Sequence, residues 1–510
     1  MSKQTKSIVS TTIVITILTL CFKLLGFVKQ MVIAYFFGTT FETDIYFVAF
    51  NFVGTLSSAF IRAITISLVS IYTHCLVQRG REAASKLMSA CLEILLPVVL
   101  FVLLIVYMIT PYIASALGQG YTPTELEYLQ QYLKICYPFF LFAVVTLVWT
   151  SMMDANKDFV VSRTESAITS ITTILCILIL YNVQAVTSLI IAQYLSYIIF
   201  GSLLLIRGRR YFKFTFVAFK DVPEIKTVLL TAVPLFIGNS VSQINKLVDS
   251  ALSTGLGHGN VSALSYSVSL EDFVTIILVN NLVDVLYVNF STYTAEGDYD
   301  SLIDTMKKAI NVMICIMIPI TLVTCMCARE IVTIAFGRGN FGEKSIALTS
   351  AALIGYAVGF TSMGVRDIIL RGLYSFKDTK RAMISGIFAV GANIIFSIAL
   401  SHVIGVMGIS IASSISLTVN FLINSQMLKR HIKNYRFLEH IPVLLKQIPG
   451  AIYVVLVVLL MKHLFDSNIL IFGLSAVIGI GGYIVILMMM RIEEVEYVKD
   501  KVVSRLGRNS

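Results

Sequence analysis

Lys23, Lys29, Asn51, Ser58 and Arg62 stand inside two long apolar stretches that meet at a short polar turn, Gly38 to Asp44. Asn51, Thr55, Ser58 and Arg62 are spaced by four, three and four residues. On a helix they share one face, and the opposite face is almost wholly apolar. A cation at membrane depth is costly unless it has a partner, water or a ligand. The pattern describes a membrane helix with one face on a polar cavity, and the chemistry such cations offer is the holding of an anion. A plain contact between helices is the competing reading for Arg62 and Lys23.

A second stripe lies at GNSVSQINKLVDS, from Gly238, where Asn239, Ser242, Gln243, Lys246, Asp249 and Ser250 recur at helical spacing. Lys246 and Asp249 are three residues apart and can pair, which lowers the cost of both. The stripe is either such a structural pair or a cavity wall. Pro234, one turn earlier, is a place for the helix to bend. The next apolar stretch carries Glu271 and Asp272 near one end, then Asn280, Asp284 and Tyr287 on one face. Asp284 binds a cation, counters a basic group, or is simply hydrated near a helix end. Arg366 and Asp367 are adjacent, so they are expected to face different ways.

The elements that must position these residues are membrane helices. Of the 510 residues 57% are hydrophobic and 13% charged, and mean hydropathy is +0.85. A soluble chain is roughly 25% charged. Apolar runs long enough for a bilayer recur throughout. We read fourteen spans, at about 9–37, 45–76, 88–116, 131–153, 162–181, 184–206, 227–254, 260–290, 307–327, 345–373, 381–401, 404–427, 449–465 and 469–490. The fold class is therefore all-α and polytopic. The first run lacks the cleavage site of a signal peptide and is expected to stay as a span.

The net charge of +10 reports orientation, not nucleic-acid binding. Basic residues gather in alternate connections: Lys3 and Lys6, then Arg79, Arg81 and Lys86, then Lys157 and Arg163, then the run Arg207 to Lys226. Further on come Lys377, Lys380 and Arg381, the run Lys429 to Lys446, including Lys433, and a tail with Lys499, Lys501, Arg505 and Arg508. The positive-inside rule puts both termini in the cytoplasm. Lys429 to Lys446 reads as an amphipathic helix on anionic headgroups. Thr122 to Gln131 reads as a short external helix capped by Thr124, with Glu127 three residues on. The eight Cys have no zinc-like spacing, and no HExxH, Walker A or dinucleotide glycine pattern occurs. An enzyme is not indicated. Transport would be secondary, driven by membrane potential or an ion gradient, or passive.

Two stretches six spans apart look alike. MMDANKDFVVSRTE from Met152 and LYSFKDTKRA from Leu373 each carry a Lys-Asp turn leading into a helix rich in small residues. Basic turns of this kind also arise without duplication. The favoured organisation is two pseudo-symmetric six-helix lobes, 1–220 and 221–430. An interfacial segment, a final helix pair and a tail follow in 431–510.

Four stretches carry a family resemblance: KLLGFVKQMVIAYFFGTTFETDIYFVAF from Lys23, PLFIGNSVSQINKLVD from Pro234, EIVTIAFGRGNF from Glu330 and LYSFKDTK from Leu373. The chain resembles the MurJ/MviN family of lipid II flippases, in the multidrug/oligosaccharidyl-lipid/polysaccharide exporter superfamily. The resemblance implies fourteen helices in two lobes and a bacterial inner-membrane carrier. Its implied substrate is a polyprenyl-pyrophosphate-linked glycan, lipid II, moved to the outer leaflet by alternating access. No cofactor is implied beyond coupling to membrane potential or a monovalent cation, and cell-wall synthesis or division proteins are the expected partners besides membrane lipids.

Under this resemblance Lys23 and Lys29 stand at basic positions of the first helix, Gly26 at the glycine between them, and Asp44 at the acid of the first external turn. The chain departs from the family at Ser57, Ser58 and Ser269, where arginines are usual, and at Arg62, where an acid is usual. Lys23, Lys29, Arg62 and Lys246 would form the pyrophosphate site, with Asn51, Ser58 and Gln243 lining it. Asp44, Asp249, Glu271 and Asp284 would serve gating or ion coupling. Asp44 and the turn between the seventh and eighth spans would close the external gate. Ends of the second and eighth helices would close the cytoplasmic one. The alternatives are export of another polyprenyl-linked oligosaccharide and ion-coupled multidrug antiport.

Overall fold

The computed structural model describes residues 3–218, 221–432 and 435–491; for residues 3–18, 184, 237–239, 241–242 and 281 it describes the backbone alone. The side chains of Lys3, Lys6, Asn239 and Ser242, and all of Lys220, Lys433, Lys499, Lys501, Arg505 and Arg508, lie outside the described residues. Every regular element among the described residues is helical. A helix satisfies its own N–H and C=O groups, which hydrocarbon cannot do. Ten described helices are long and apolar enough to cross a membrane, or up to twelve if each of two bent helix pairs is one span. The chain divides into two compact units, Met1–Ser262 and Ala263–Ser510.

In the first unit α1 (Lys3–Phe37) stops at Gly38, whose φ of 59° is left-handed. The oxygen of Thr40 then caps α2 (Phe41–Met108) by accepting from the N–H of Thr43. The expected spans 45–76 and 88–116 run together here. An unbroken helix of 68 residues would extend about 100 Å. Gly80 breaks it, with φ 82° and ψ −179°, a conformation essentially open only to glycine.

After α3 (Thr110–Leu117), α4 (Pro123–Cys136) has its cap two residues before the expected one. Thr122, not Thr124, accepts from the N–H of Glu125, and the Glu125 carboxylate accepts from the N–H of Thr122 at 2.8 Å. Pro123 explains the shift: it lacks an N–H and fits the first helical position, so the cap must precede it. α5 (Pro138–Ala155), α6 (Phe159–Ser162), α7 (Glu165–Gln184), α8 (Thr187–Gly208) and α9 (Glu224–Gly255) follow. α2 packs along α5 and α9, and α7 along α1 and α8.

The second unit opens inside α10 (Asn260–Val274). A π-helical stretch, Thr275–Asn280, joins it to α11 (Asn281–Glu296). Next come α12 (Tyr299–Met326), α13 (Ala328–Phe336), α14 (Glu343–Ala357) and α15 (Phe360–Ser375). The last two form the expected span 345–373, bent by 42°. α16 (Thr379–Ile404) and α17 (Val406–Leu428) lie closely together. At Gly408 a Cβ would stand 2.3 Å from the carbonyl of Leu400, so no larger residue fits. Met306, Ile310, Met313, Phe360 and Ile369 knit α12 to α15 in the main apolar core.

The expected amphipathic helix Lys429–Lys446 is replaced by a 3-10 turn, Phe437–His440, and the six-residue α18 (Ile441–Lys446). These two bend by 47° into α19 (Ile448–Leu464). The reason is local bonding: His440 is buried and bonded to Asn311 at 2.5 Å, and Glu439 pairs with Lys307, so the chain is pinned at these two residues while Leu438, Ile441 and Leu445 stay exposed. α20 (Asn468–Leu474), a π-helical turn and α21 (Ile480–Met489) complete the chain's described part. Tyr483 donates to Gln447 at 2.6 Å, and Lys462 pairs with the buried Glu330 at 2.8 Å, tying the last helices to their own unit.

The two Lys-Asp turns share one backbone design. Lys157 and Lys377 have φ of 61° and 60°. The N–H of Asp158 reaches the carbonyl of Met153 at 2.9 Å, and that of Asp378 reaches Leu373 at 3.2 Å. These are Schellman closures with lysine in the slot glycine usually fills. Asp158 accepts from Arg207 at 2.7 and 3.3 Å, and Asp378 from Arg381 and from His431, the latter at 2.6 Å. Burial opposes charge on Asp378, but these hydrogen bonds outweigh it and hold its carboxyl below the usual range.

Candidate functional site

Asp44, in the first turn of α2, is fully buried. One carboxylate oxygen accepts from the N–H of Gly259 at 2.6 Å. The other accepts from the N–H and hydroxyl of Ser262, at 2.8 and 2.7 Å. Three donors on one buried carboxylate make a strong tie between the α1–α2 turn and the α9–α10 turn. Gly257 and Gly259, with φ of 99° and 95°, shape the loop that aims the Gly259 N–H. His258, beside them, contacts Glu125 at 3.1 Å and stacks edge-on with Phe41, ring centroids 5.0 Å apart.

Down α2, the open face is not quite the expected one. Asn51 and Arg62 are exposed and Ser58 half-buried, but Thr55 is buried and Gly54 takes its place on the open side. Nothing approaches within 4 Å of where a Gly54 Cβ would stand. The Ser58 hydroxyl donates to the Thr55 carbonyl of its own helix at 3.2 Å.

α9 runs antiparallel to this part of α2. Asp44 lies opposite Gly259, Phe60 opposite Phe236 with rings 6.5 Å apart, and Ser67 donates to the Val228 carbonyl at 2.9 Å. That register puts Lys246 level with Asn51 to Thr55. Arg62 is about 13 Å farther from the Asp44 end, at 1.5 Å per residue. Gln243 is buried, Lys246 exposed and Asp249 half-buried. On α1, Lys23 is exposed and Lys29 half-buried. Counted from the Gly38 turn, Lys29 stands at about the depth of Asn51 and Lys23 about 9 Å farther, just beyond the depth of Thr55. Lys29 and Lys246 thus lie near one level, with Lys23 about 9 Å farther from the turn than Lys29 and Arg62 farther still. Among the described residues none of these four cations makes an ion pair.

In the second unit Glu271, near the end of α10, is half-buried. Arg366 and Asp367 do not face apart: both Nε and Nη2 of Arg366 reach Asp367 Oδ1, at 2.9 and 2.5 Å. A flexible guanidinium curls back over one residue where Cα directions alone predict separation. Asp284 counters a basic group: Arg371 Nη2 donates to it at 2.9 Å while lying 5.4 Å over the Tyr287 ring.

One polar set was missed in the sequence. Asn393 and Ser397 are fully buried between α16 and α17 and bonded to each other at 3.2 Å, and Asn393 also donates to Ser413 at 3.1 Å. Their i, i+4 spacing in GANIIFSIALS was a readable signal.

The family model for Lipid II flippase MurJ matches residues 33–478. The chain belongs to the MurJ family. MurJ proteins are flippases, so this is a transporter and not an enzyme. The probable lipid II flippase MurJ of Vibrio cholerae serotype O1 is 25% identical over 434 residues, covering 81% of this chain and 82% of that one. The one from Thermotoga maritima is 22% identical over 476 residues, covering 93% and 95%. A solved lipid II flippase MurJ in an inward closed conformation shares the fold. Its TM-score is 0.81 at 22% identity, over 94% of this chain and 98% of that chain. An inward-facing multidrug resistance MATE family transporter of the MOP superfamily aligns with a TM-score of 0.68 at 14% identity, over 82% and 98%. The architecture is that of a multi-pass membrane protein, and MurJ-family membership implies a lipid-linked glycan as cargo.

Proposed function

We infer that this protein moves lipid II, the undecaprenyl-pyrophosphate-linked peptidoglycan precursor, from the inner to the outer leaflet by alternating access. The observation that carries the reading is the MurJ family match, which runs through both compact units. The unpaired cations give it a mechanism. Lys23, Lys29 and Lys246, with Asn51, Gln243 and Ser58, hold the pyrophosphate. Arg62, lower on α2, meets it first from the cytoplasmic side and passes it up. Lysine suits a hand-over, since it binds phosphate as a mobile point charge and not as a rigid fork.

The tie from Asp44 to Gly259 and Ser262 is the external gate, and it must open for release. Fourteen spans are the count we favour: α2 supplies two, one on each side of Gly80, α9 supplies another, and each bent pair supplies one. They group as lobes 1–220 and 221–430, with the last two helices in 431–510, and the basic turns put both termini in the cytoplasm. Membrane potential or a monovalent cation, acting on Asp249, Glu271 or Asp284, resets the cycle. Cell-wall synthesis proteins are the natural partners.

The test is lipid II outward transfer in cells whose own flippase is shut off, counted with a probe that cannot cross the membrane. Wild type is expected to restore transfer. Arg62→Ala and Lys246→Ala should each lower it about tenfold at unchanged membrane level, the cost of one charge-assisted contact. No transfer by well-expressed wild type would move the assignment to another polyprenyl-linked glycan, which the serines at 57, 58 and 269 would then explain.

A further inference from the structure

The residues from Tyr211 to Ala218 lead from α8 towards α9 without forming a helix, yet they are held against α2. The hydroxyl of Ser85 donates to the Lys213 carbonyl at 3.0 Å and accepts from the Lys213 N–H at 3.2 Å. The hydroxyl of Ser89 accepts from the Thr215 N–H at 3.1 Å, and Glu93 from the Val217 N–H at 3.1 Å. Ser85, Ser89 and Glu93 recur every fourth residue, a rise of about 6 Å along one helix face. Alternate residues of an extended chain rise about 6.6 Å. The two repeats match, so the connection lies as a strap along the first turns of α2 beyond Gly80.

The near end of the strap is fixed. Arg207 and Tyr211 both donate to Asp158, and the Phe212 ring packs edge-on against Trp149, 5.2 Å between centroids. Arg81 donates to the Arg210 carbonyl at 3.4 Å and lies 5.8 Å over the Tyr211 ring.

What this arrangement leaves outside is unusual for water. Phe214 and Phe216 are 48% and 89% exposed. Alternate residues of an extended chain point the same way, and the two rings meet edge-on at 5.2 Å. Arg209, Arg210 and Lys213 are exposed, and among the described residues none makes an ion pair. Of the neighbouring acids, Asp158 is engaged by Arg207, Glu82 by Lys86, Glu224 by Arg79, and Glu93 by the strap's own backbone, while Asp221, whose N–H reaches the Ala218 carbonyl at the far end of the strap, is exposed. An apolar pair beside three spare cations, next to span ends, is the pattern that seats rings among acyl chain ends and cations on phosphates.

We propose that residues 209–218 form a binding site for anionic phospholipid, with Phe214 and Phe216 in the acyl boundary and Arg209, Arg210 and Lys213 on the headgroup phosphate. The assignment does not depend on what the protein transports.

Phe216→Trp, in the full-length protein, puts a reporter in the site, and Trp149 of the unaltered protein supplies the baseline. The variant is reconstituted in mixed vesicles in which either the phosphatidylglycerol or the phosphatidylcholine carries bromine. Brominated phosphatidylglycerol is expected to quench the added fluorescence about twofold more per label than brominated phosphatidylcholine. Arg209→Gln with Arg210→Gln and Lys213→Gln should remove the excess. Equal quenching by the two lipids, or none, overturns the site. Loss of the excess on adding a few mole per cent of undecaprenyl phosphate also overturns it, by showing that the strap serves the polyprenyl lipid.

Discussion

Asp44 is fully buried and accepts three hydrogen bonds, and its replacement separates charge from shape. Asparagine keeps the volume but turns an NH2 toward donors. At least one of the three bonds to Gly259 and Ser262 must then be lost, leaving a buried donor unmet. The cost is about 1–3 kcal/mol. Asp44→Asn should lower the melting temperature in detergent by roughly 2–6 °C, and Ser262→Ala, which removes one bond, by less. A thermal melt followed by tryptophan fluorescence reads both. Equal melting of Asp44→Asn and wild type would mean the tie carries no load. At this scale the sequence was informative about types and poor about partners. Asp44 and the turn after the seventh span were both expected at the gate, because both fall between apolar runs. That Gly259 and Ser262 supply the donors depends on two left-handed glycines, which spacing does not report. Arg366 and Asp367 failed for a related reason: the expectation followed Cα directions, and the guanidinium bends.

The helices were legible because hydropathy is a strong signal when each run must cross hydrocarbon. Every expected apolar stretch is helical. Their joints were not legible, because a joint depends on one or two residues of unusual backbone. α2 shows this best, since one glycine interrupts 68 residues of helix. At φ 82° and ψ −179° a side chain is strained even though nothing crowds the position. Gly80→Ala should therefore cost roughly 1–3 kcal/mol from backbone alone and reduce the folded fraction in the membrane. Fluorescence-detected gel filtration of solubilised protein measures this. A monodisperse peak of wild-type height would show that the break is not needed. The interfacial segment before α19 was misread because composition alone shows its cations and not that His440 has a buried partner in Asn311.

For the molecule as a whole, the family match extends over most of the chain, and the orientation proposed above rests on charge alternation. That orientation predicts that a green fluorescent protein joined to the carboxyl terminus is bright and an alkaline phosphatase fusion there inactive. The reverse result would invert every side assigned to the site, including which way Arg62 faces. The likeness between the two halves was suspected from a Lys-Asp pair that any cytoplasmic turn could carry. In the backbone both lysines adopt the same left-handed conformation and both aspartates receive a basic side chain. Those two corners are also a reserve of durability that the chain leaves unused. A left-handed lysine is worth about 1 kcal/mol less than a glycine there. Lys157→Gly with Lys377→Gly should give a protein that survives longer out of its membrane, a practical gain for anyone who must purify it. A shorter half-life at fixed temperature would instead mean that the lysine side chains themselves hold the corners.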